Sequence, residues 1–209
     1  MKRLLLTSSG EFVTDGKLDF FGMRREDLRW AYIITAGKNM ENVSFMEVRK
    51  KRMNELKYDF TEIDIDNKTE NEVRKELKDF DVIYVEGGDT FYLLKAIRNC
   101  NFKAIIEEKI EQGVIYVGSS AGAYITCPTI EMATWINSNN FSYHGLTDFT
   151  GMSLVPFFIY AHYEEGVKDI LKEKMRYLGC NTKILNDEQA LRIEDNKIEL
   201  LGDPIEIYI

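Results

Sequence analysis

The chain has 209 residues, 44% of them hydrophobic and 30% charged, the composition of an ordinary water-soluble globular protein able to bury a large core without disulfide or metal staples. Thirty-five acidic residues against 27 basic ones give a net charge of −8, which disfavours a nucleic-acid partner, and three prolines exclude a Pro-rich disordered class. No apolar run approaches the roughly 18 residues of a membrane span, and the three leucines after Met1-Lys2-Arg3 are too few for a signal peptide, so the expected setting is cytoplasmic and away from membranes.

Taken in chain order, short apolar runs alternate with amphipathic ones. Leu4-Leu5-Leu6 predicts a first strand that ends in Thr7-Ser8-Ser9-Gly10, and Ala31 to Thr35 a second. A helix is expected from about Val43 to Leu56. The basic cluster inside it, Arg49-Lys50-Lys51-Arg52, reads as a solvated face rather than a binding patch. Phe60 to Ile65 is a third strand, Asn71 to Leu77 is helical, and Asp81 to Val85 is a fourth strand running into Glu86-Gly87-Gly88. Helices follow over Thr90 to Ile97 and Phe102 to Glu111, and then Val114 to Val117 enters Gly118-Ser119-Ser120-Ala121-Gly122. Strands of unbroken β-branched and aromatic residues separated by helices require a parallel sheet covered on both faces. After residue 180 the pattern changes. Ala190 to Ile193 and Lys197 to Leu201 alternate around Glu194-Asp195-Asn196, a hairpin signal, and Ile205-Glu206-Ile207 after Pro204 suggests a last strand. The expectation is one α/β domain over 1–209, with a mostly parallel central sheet and antiparallel strands at one edge near the C-terminus.

The three cysteines, Cys100, Cys127 and Cys180, are far apart and form no CxxC pair, which fits reduced thiols. With two histidines and no HExxH, neither a metal nor another cofactor is expected. The sharpest local signal is Gly118-Ser119-Ser120-Ala121-Gly122, a G-x-S-x-G string between a strand and a helix start. That is the context of a nucleophile elbow, in which a turn too tight for larger residues pushes the serine hydroxyl out over the strand ends. The N–H of Ala121 then faces a developing oxyanion, and Gly88, in the turn after the fourth strand, is the second expected donor. A serine nucleophile needs a base. His162, after the apolar run Pro156 to Ala161, is favoured over His144, which lies in a polar stretch resembling a surface loop.

Val85 to Leu94, Gly118 to Ala123, Cys127-Pro128-Thr129-Ile130 and a late His162 together resemble the peptidase E family of serine peptidases, of the aspartyl dipeptidase and cyanophycinase type. The resemblance covers most of the chain. It implies a three-layer α/β sandwich related to class I glutamine amidotransferases, with Ser120 as nucleophile, His162 as base, and Gly88 and Ala121 as oxyanion donors. Some members carry an Asp shortly after the nucleophile, and residues 131–140 contain none. Cyanophycinase-like members use a Glu downstream of the histidine, which Glu188 matches best, with Asp187 the nearest substitute. Aspartyl dipeptidases hold their acidic substrate partly through an Arg in a helix after the histidine. The corresponding stretch here, Val167 to Leu178, offers Lys168, Lys172, Lys174 and Arg176, of which Arg176 is the arginine, with Asp89 and Thr90 at the rim, although Asp89 would repel an acidic substrate. The implied activity is hydrolysis of small peptides by a monomer or homodimer. The alternatives are an esterase or amidase on the same elbow, or a non-catalytic small-molecule-binding member.

Overall fold

In the computed structural model, residues 1–15, 20–136, 142–178 and 181–202 are described. The central sheet has seven strands in the order β3-β2-β4-β5-β1-β8-β9, formed by β1 (Arg3–Thr7), β2 (Arg29–Ile33), β3 (Asp59–Ile63), β4 (Val82–Val85), β5 (Ile115–Ser119), β8 (Gln189–Glu194) and β9 (Lys197–Gly202). The five strands from β3 to β1 are parallel. β8 pairs antiparallel with both β1 and β9. The fold is therefore α/β with a mostly parallel sheet and an antiparallel edge, as the hairpin signal predicts. The suggested strand over 205–207 and Cys180 lie outside the described residues.

Both faces of the sheet are covered, which is why its strands read as continuous apolar runs. Leu4, Leu6, Ala31, Ile33, Ile83, Val85 and Tyr116 point to one face. They pack there against α2 (Glu70–Glu76), α3 (Thr90–Asn99), α4 (Phe102–Glu111), α5 (Ala121–Tyr124) and the segment around residues 152–161. Leu5, Trp30, Tyr32, Val82, Tyr84, Ile115 and Val117 alternate with them and meet Val13, Phe20, Tyr58 and Met53 of α1 (Ser44–Glu55) on the other face. The result is three layers. A separate parallel pair, β6 (Phe158–Tyr160) and β7 (Thr182–Ile184), flanks α6 (Lys168–Leu178) in the chain and delivers residue 162 beside the carboxyl ends of the central strands.

The predicted elements fall within a few residues of the observed ones, but the basic cluster on α1 differs from expectation. Arg49 is only 4% exposed, because its guanidinium turns inward to a carboxylate on β4's trailing turn rather than to solvent. Among the described residues no helix is long and apolar enough to cross a membrane.

Candidate active site

The site is built at the carboxyl ends of β1, β4 and β5, where an open α/β sheet leaves a crevice. β5 ends at Ser119 and α5 begins at Ala121, so Ser120 alone makes the turn, at φ 49° and ψ −110°. A non-glycine residue held at positive φ is strained and persists because its surroundings fix it. Here Ser120 N–H donates to the Thr7 carbonyl (3.0 Å), and the Ser120 carbonyl accepts from Ala123 and Tyr124 (both 2.9 Å). Gly122 allows the tight fit: a Cβ there would fall on the Val85 carbonyl oxygen of the neighbouring strand, and the Tyr116 hydroxyl pins its carbonyl at 2.7 Å.

The turn after β4 lies directly against this bend. A Cβ on Gly87 would stand 3.0 Å from Ser120 Cβ. Gly88 has φ +144°, and a side chain there would run into the Ala36 carbonyl, so the position admits little besides glycine. The turn is tied to β2 and the segment after it by Glu86 N–H to the Ile33 carbonyl (3.1 Å) and Asp89 N–H to the Ala36 carbonyl (2.8 Å).

His162, also at positive φ (59°), follows β6. Its Nε2 lies 2.8 Å from Ser120 Oγ, and its Nδ1 lies 2.6 Å from Asp187 Oδ1. The imidazole hydrogen bond, with a further one from Ser8, holds the Asp187 carboxyl below the usual carboxylate range despite partial burial. An ionised Asp187 accepts a hydrogen bond from Nδ1–H, which leaves the Nε2 lone pair facing the serine hydroxyl. The expected Glu188 is not the carboxylate on the imidazole. In the turn of residues 186–189, Glu188 N–H bonds to Asn186 Oδ1, and it is the Asp187 side chain that reaches His162.

Sequence reasoning missed Ser8. Its hydroxyl, fully buried at the end of β1, donates to Asp187 Oδ1 (2.9 Å) and accepts from the His162 N–H (2.7 Å). The signal available was the Thr7-Ser8-Ser9-Gly10 turn at a strand's carboxyl end. Also missed was a buried network under the elbow. Glu86 Oε1 accepts from Ser119 Oγ (2.6 Å) and Gly87 N–H (2.9 Å), and Oε2 accepts from the Tyr32 (2.7 Å) and Tyr84 (2.9 Å) hydroxyls. Arg49 Nε stands 3.4 Å from the same Oε2, and its Nη1 donates to Thr14 Oγ1 (2.7 Å). Burial, reinforced by the Glu86 charge, pushes both tyrosine pKa values far up, so the phenols remain donors.

Ser120, His162, Gly88, Asp89 and Thr90 open onto one cleft of about 600 Å³. Asp89 Oδ1 caps α3, accepting from Phe91 N–H (3.0 Å) and Tyr92 N–H (2.9 Å). Its Oδ2 lies 2.7 Å from His144 Nε2. His144 is thus half-buried on the cleft wall, not the surface-loop residue its polar surroundings suggest, because the Asp89 carboxylate and the edge of the Tyr92 ring hold it there. Arg176 is exposed on α6 and does not line the cleft. Among the described residues no group of His, Cys, Asp and Glu side chains is arranged to hold a metal ion.

A hydroxyl, an imidazole and a carboxylate in hydrogen-bonded series can deliver a nucleophile to a carbonyl, and backbone amides such as those of Gly88 and Ala121 can receive the resulting charge. Comparison with known proteins finds peptidases. A peptidase of Listeria innocua is 32% identical over 201 residues, 95% of each chain. Peptidase E of a Nostoc species is 27% identical over 97% of this chain and 86% of its own. The crystal structure of a candidate peptidase E from Listeria monocytogenes superposes with a TM-score of 0.79 at 28% identity, covering 97% of this chain and 98% of that one. The sequence pattern of peptidase family S51 matches residues 4–201, and the chain belongs to that family of peptidase hydrolases.

Proposed function

We propose that this chain is a serine peptidase that cleaves small peptides through an acyl-enzyme on Ser120. The observation that carries the reading is the unbroken series Ser120 Oγ, His162 Nε2, His162 Nδ1, Asp187 Oδ1, with spacings of 2.8 and 2.6 Å across the two hydrogen bonds. Ser120 Oγ attacks the scissile carbonyl and its proton passes to His162 Nε2. The tetrahedral oxyanion is held by the N–H groups of Gly88 and Ala121, neither of which donates to another described residue. Nε2 then returns the proton to the leaving amine as the C–N bond breaks. Water, deprotonated by the same nitrogen, releases the acyl group and restores the serine. Asp187 keeps the imidazole in the tautomer that accepts at Nε2 and stabilises the imidazolium that forms. A cleft of about 600 Å³ suits a small peptide better than a folded protein. A cytoplasmic setting fits the same reading, since the buried thiols of Cys100 and Cys127 are unpaired.

The test is labelling with a fluorophosphonate probe alongside hydrolysis of a dipeptide panel. Wild type is expected to label at Ser120 and to turn over, and Ser120→Ala to fold normally while losing roughly 10⁵–10⁶-fold in kcat. Equal hydrolysis by both proteins, or a folded wild type that never labels, would refute the mechanism.

A further inference from the structure

The walls of the cleft speak to which acyl group Ser120 receives, an inference that rests on the serine-peptidase reading above. Besides the polar Asn39, Thr90 and Ser142, the lining carries an apolar and aromatic set: Tyr124, Met132, Ala133, Ile136 and Tyr160. It is a firm wall. The Tyr124 hydroxyl accepts from Ala161 N–H (3.0 Å), and the Tyr160 ring lies parallel to Trp135, 10° between planes and 6.1 Å between centroids. Among the described residues no lysine or arginine lines the cleft. Lys38, beside cleft residue Asn39, is already committed to Asp64 and Asp66, 2.9 Å from each. The titratable side chains that do line it include Asp89, which is hydrogen-bonded to His144, and His162.

We propose that the cleft selects peptides whose acyl-side residue is apolar and of Leu, Met or Phe size, and discriminates against acidic ones. An apolar side chain leaving water for this wall is stabilised in proportion to the area it buries. A carboxylate entering the same space would lose its hydration beside Asp89 and find no lysine or arginine on the lining in return. Asp89 is held in place by two helix N–H groups and His144, so it cannot swing aside to admit a second negative charge.

The experiment uses wild-type protein and p-nitroanilides of Leu, Phe, Met, Asp, Glu and Lys, together with protection of Ser120 against a fluorophosphonate by leucinal and by the aldehyde of Asp. The expected result is a kcat/KM for Leu, Met or Phe at least about tenfold above Asp and Glu, with leucinal protecting at lower concentration than the Asp aldehyde. Preference for Asp or Glu in either measurement, or equal protection by the two aldehydes, overturns the proposal and leaves the serine mechanism standing. Failure of Ser120 to label at all refutes the underlying mechanism instead, so the two failures are distinguishable.

Discussion

The hydroxyl of Ser119 lies 2.6 Å from Glu86 Oε1, which couples the residue preceding the elbow serine to the residue preceding the Gly87-Gly88 turn. One carboxylate therefore sets the spacing between the strand end that carries the proposed nucleophile and the turn that carries a proposed oxyanion donor. Both Glu86 and its ion-pair partner Arg49 are buried, at 2% and 4% exposure, so removing one charge strands the other. Glu86→Gln is expected to lower unfolding free energy by about 3–5 kcal/mol in urea titrations. The double change Glu86→Gln with Arg49→Met is expected to recover part of that loss, because neither charge is then left alone. A single-variant loss below about 1 kcal/mol would mean that Arg49 draws its compensation from Thr14 and not from Glu86.

Asp187 and Glu188 are adjacent acids in one turn, and only the first touches His162. Asp187→Asn retains the size of the side chain but presents an amide that no longer demands a proton on Nδ1. The imidazole can then carry its proton on Nε2, the nitrogen that accepts in the proposed mechanism. A fall in kcat of roughly 10³–10⁴-fold with KM little changed is expected. Glu188→Gln is expected to stay within about twofold of wild type. Steady-state kinetics on any cleaved dipeptide decides it, and a Glu188 effect as large as the Asp187 effect would remove Asp187 from its assigned role.

The same carboxylate makes a pH-dependent contribution to stability. Its folded pKa is depressed, first by the His162 hydrogen bond, so the folded state binds the proton less readily than the unfolded chain. Stability therefore falls as pH drops from the ordinary Asp value of about 4 through the lower folded value, and is fully present above that window. Since the side chain is half-exposed, the effect is modest. Differential scanning calorimetry of wild type and Asp187→Asn is expected to show a wild-type advantage in Tm at pH 6 that narrows toward pH 2. A gap that stays constant over that range would show that the Asp187 charge does not contribute.

Much of this architecture was legible because hydrophobic runs report burial directly. Leu4-Leu5-Leu6 and Val82 to Val85 face packed layers on both sides, and the G-x-S-x-G spacing records a turn that only small residues allow. What was not legible depends on partners distant in sequence. Ser8 and Asp187 are 179 positions apart, and whether Asp187 or Glu188 faces the histidine depends on one turn's geometry, which their shared charge does not encode. Arg49 sits among three other basic residues, and nothing local separates the one that turns inward to meet Glu86. His144 was obscured in the same way: a polar stretch reads as surface until Asp89 is brought up against it.

Ser8 gives the last prediction. Its hydroxyl donates to Asp187 and accepts from the backbone of His162, so a single oxygen fixes both the carboxylate and the main chain of the proposed base. Ser8→Ala leaves the His162 N–H without that acceptor at a residue already held at positive φ, and leaves Asp187 one donor fewer. The imidazole should then lose its alignment while the cleft walls, built from other elements, keep theirs. The expected signature is a kcat reduced about 10- to 100-fold, KM unchanged within about twofold, and slower fluorophosphonate labelling of Ser120. A purely structural role would appear instead as a lowered Tm with normal kcat in the folded fraction. Ser8→Thr, which keeps a hydroxyl at the same position, separates the two roles: if it restores kcat without restoring Tm, Ser8 acts through His162 and Asp187, and if it restores Tm without kcat, it does not.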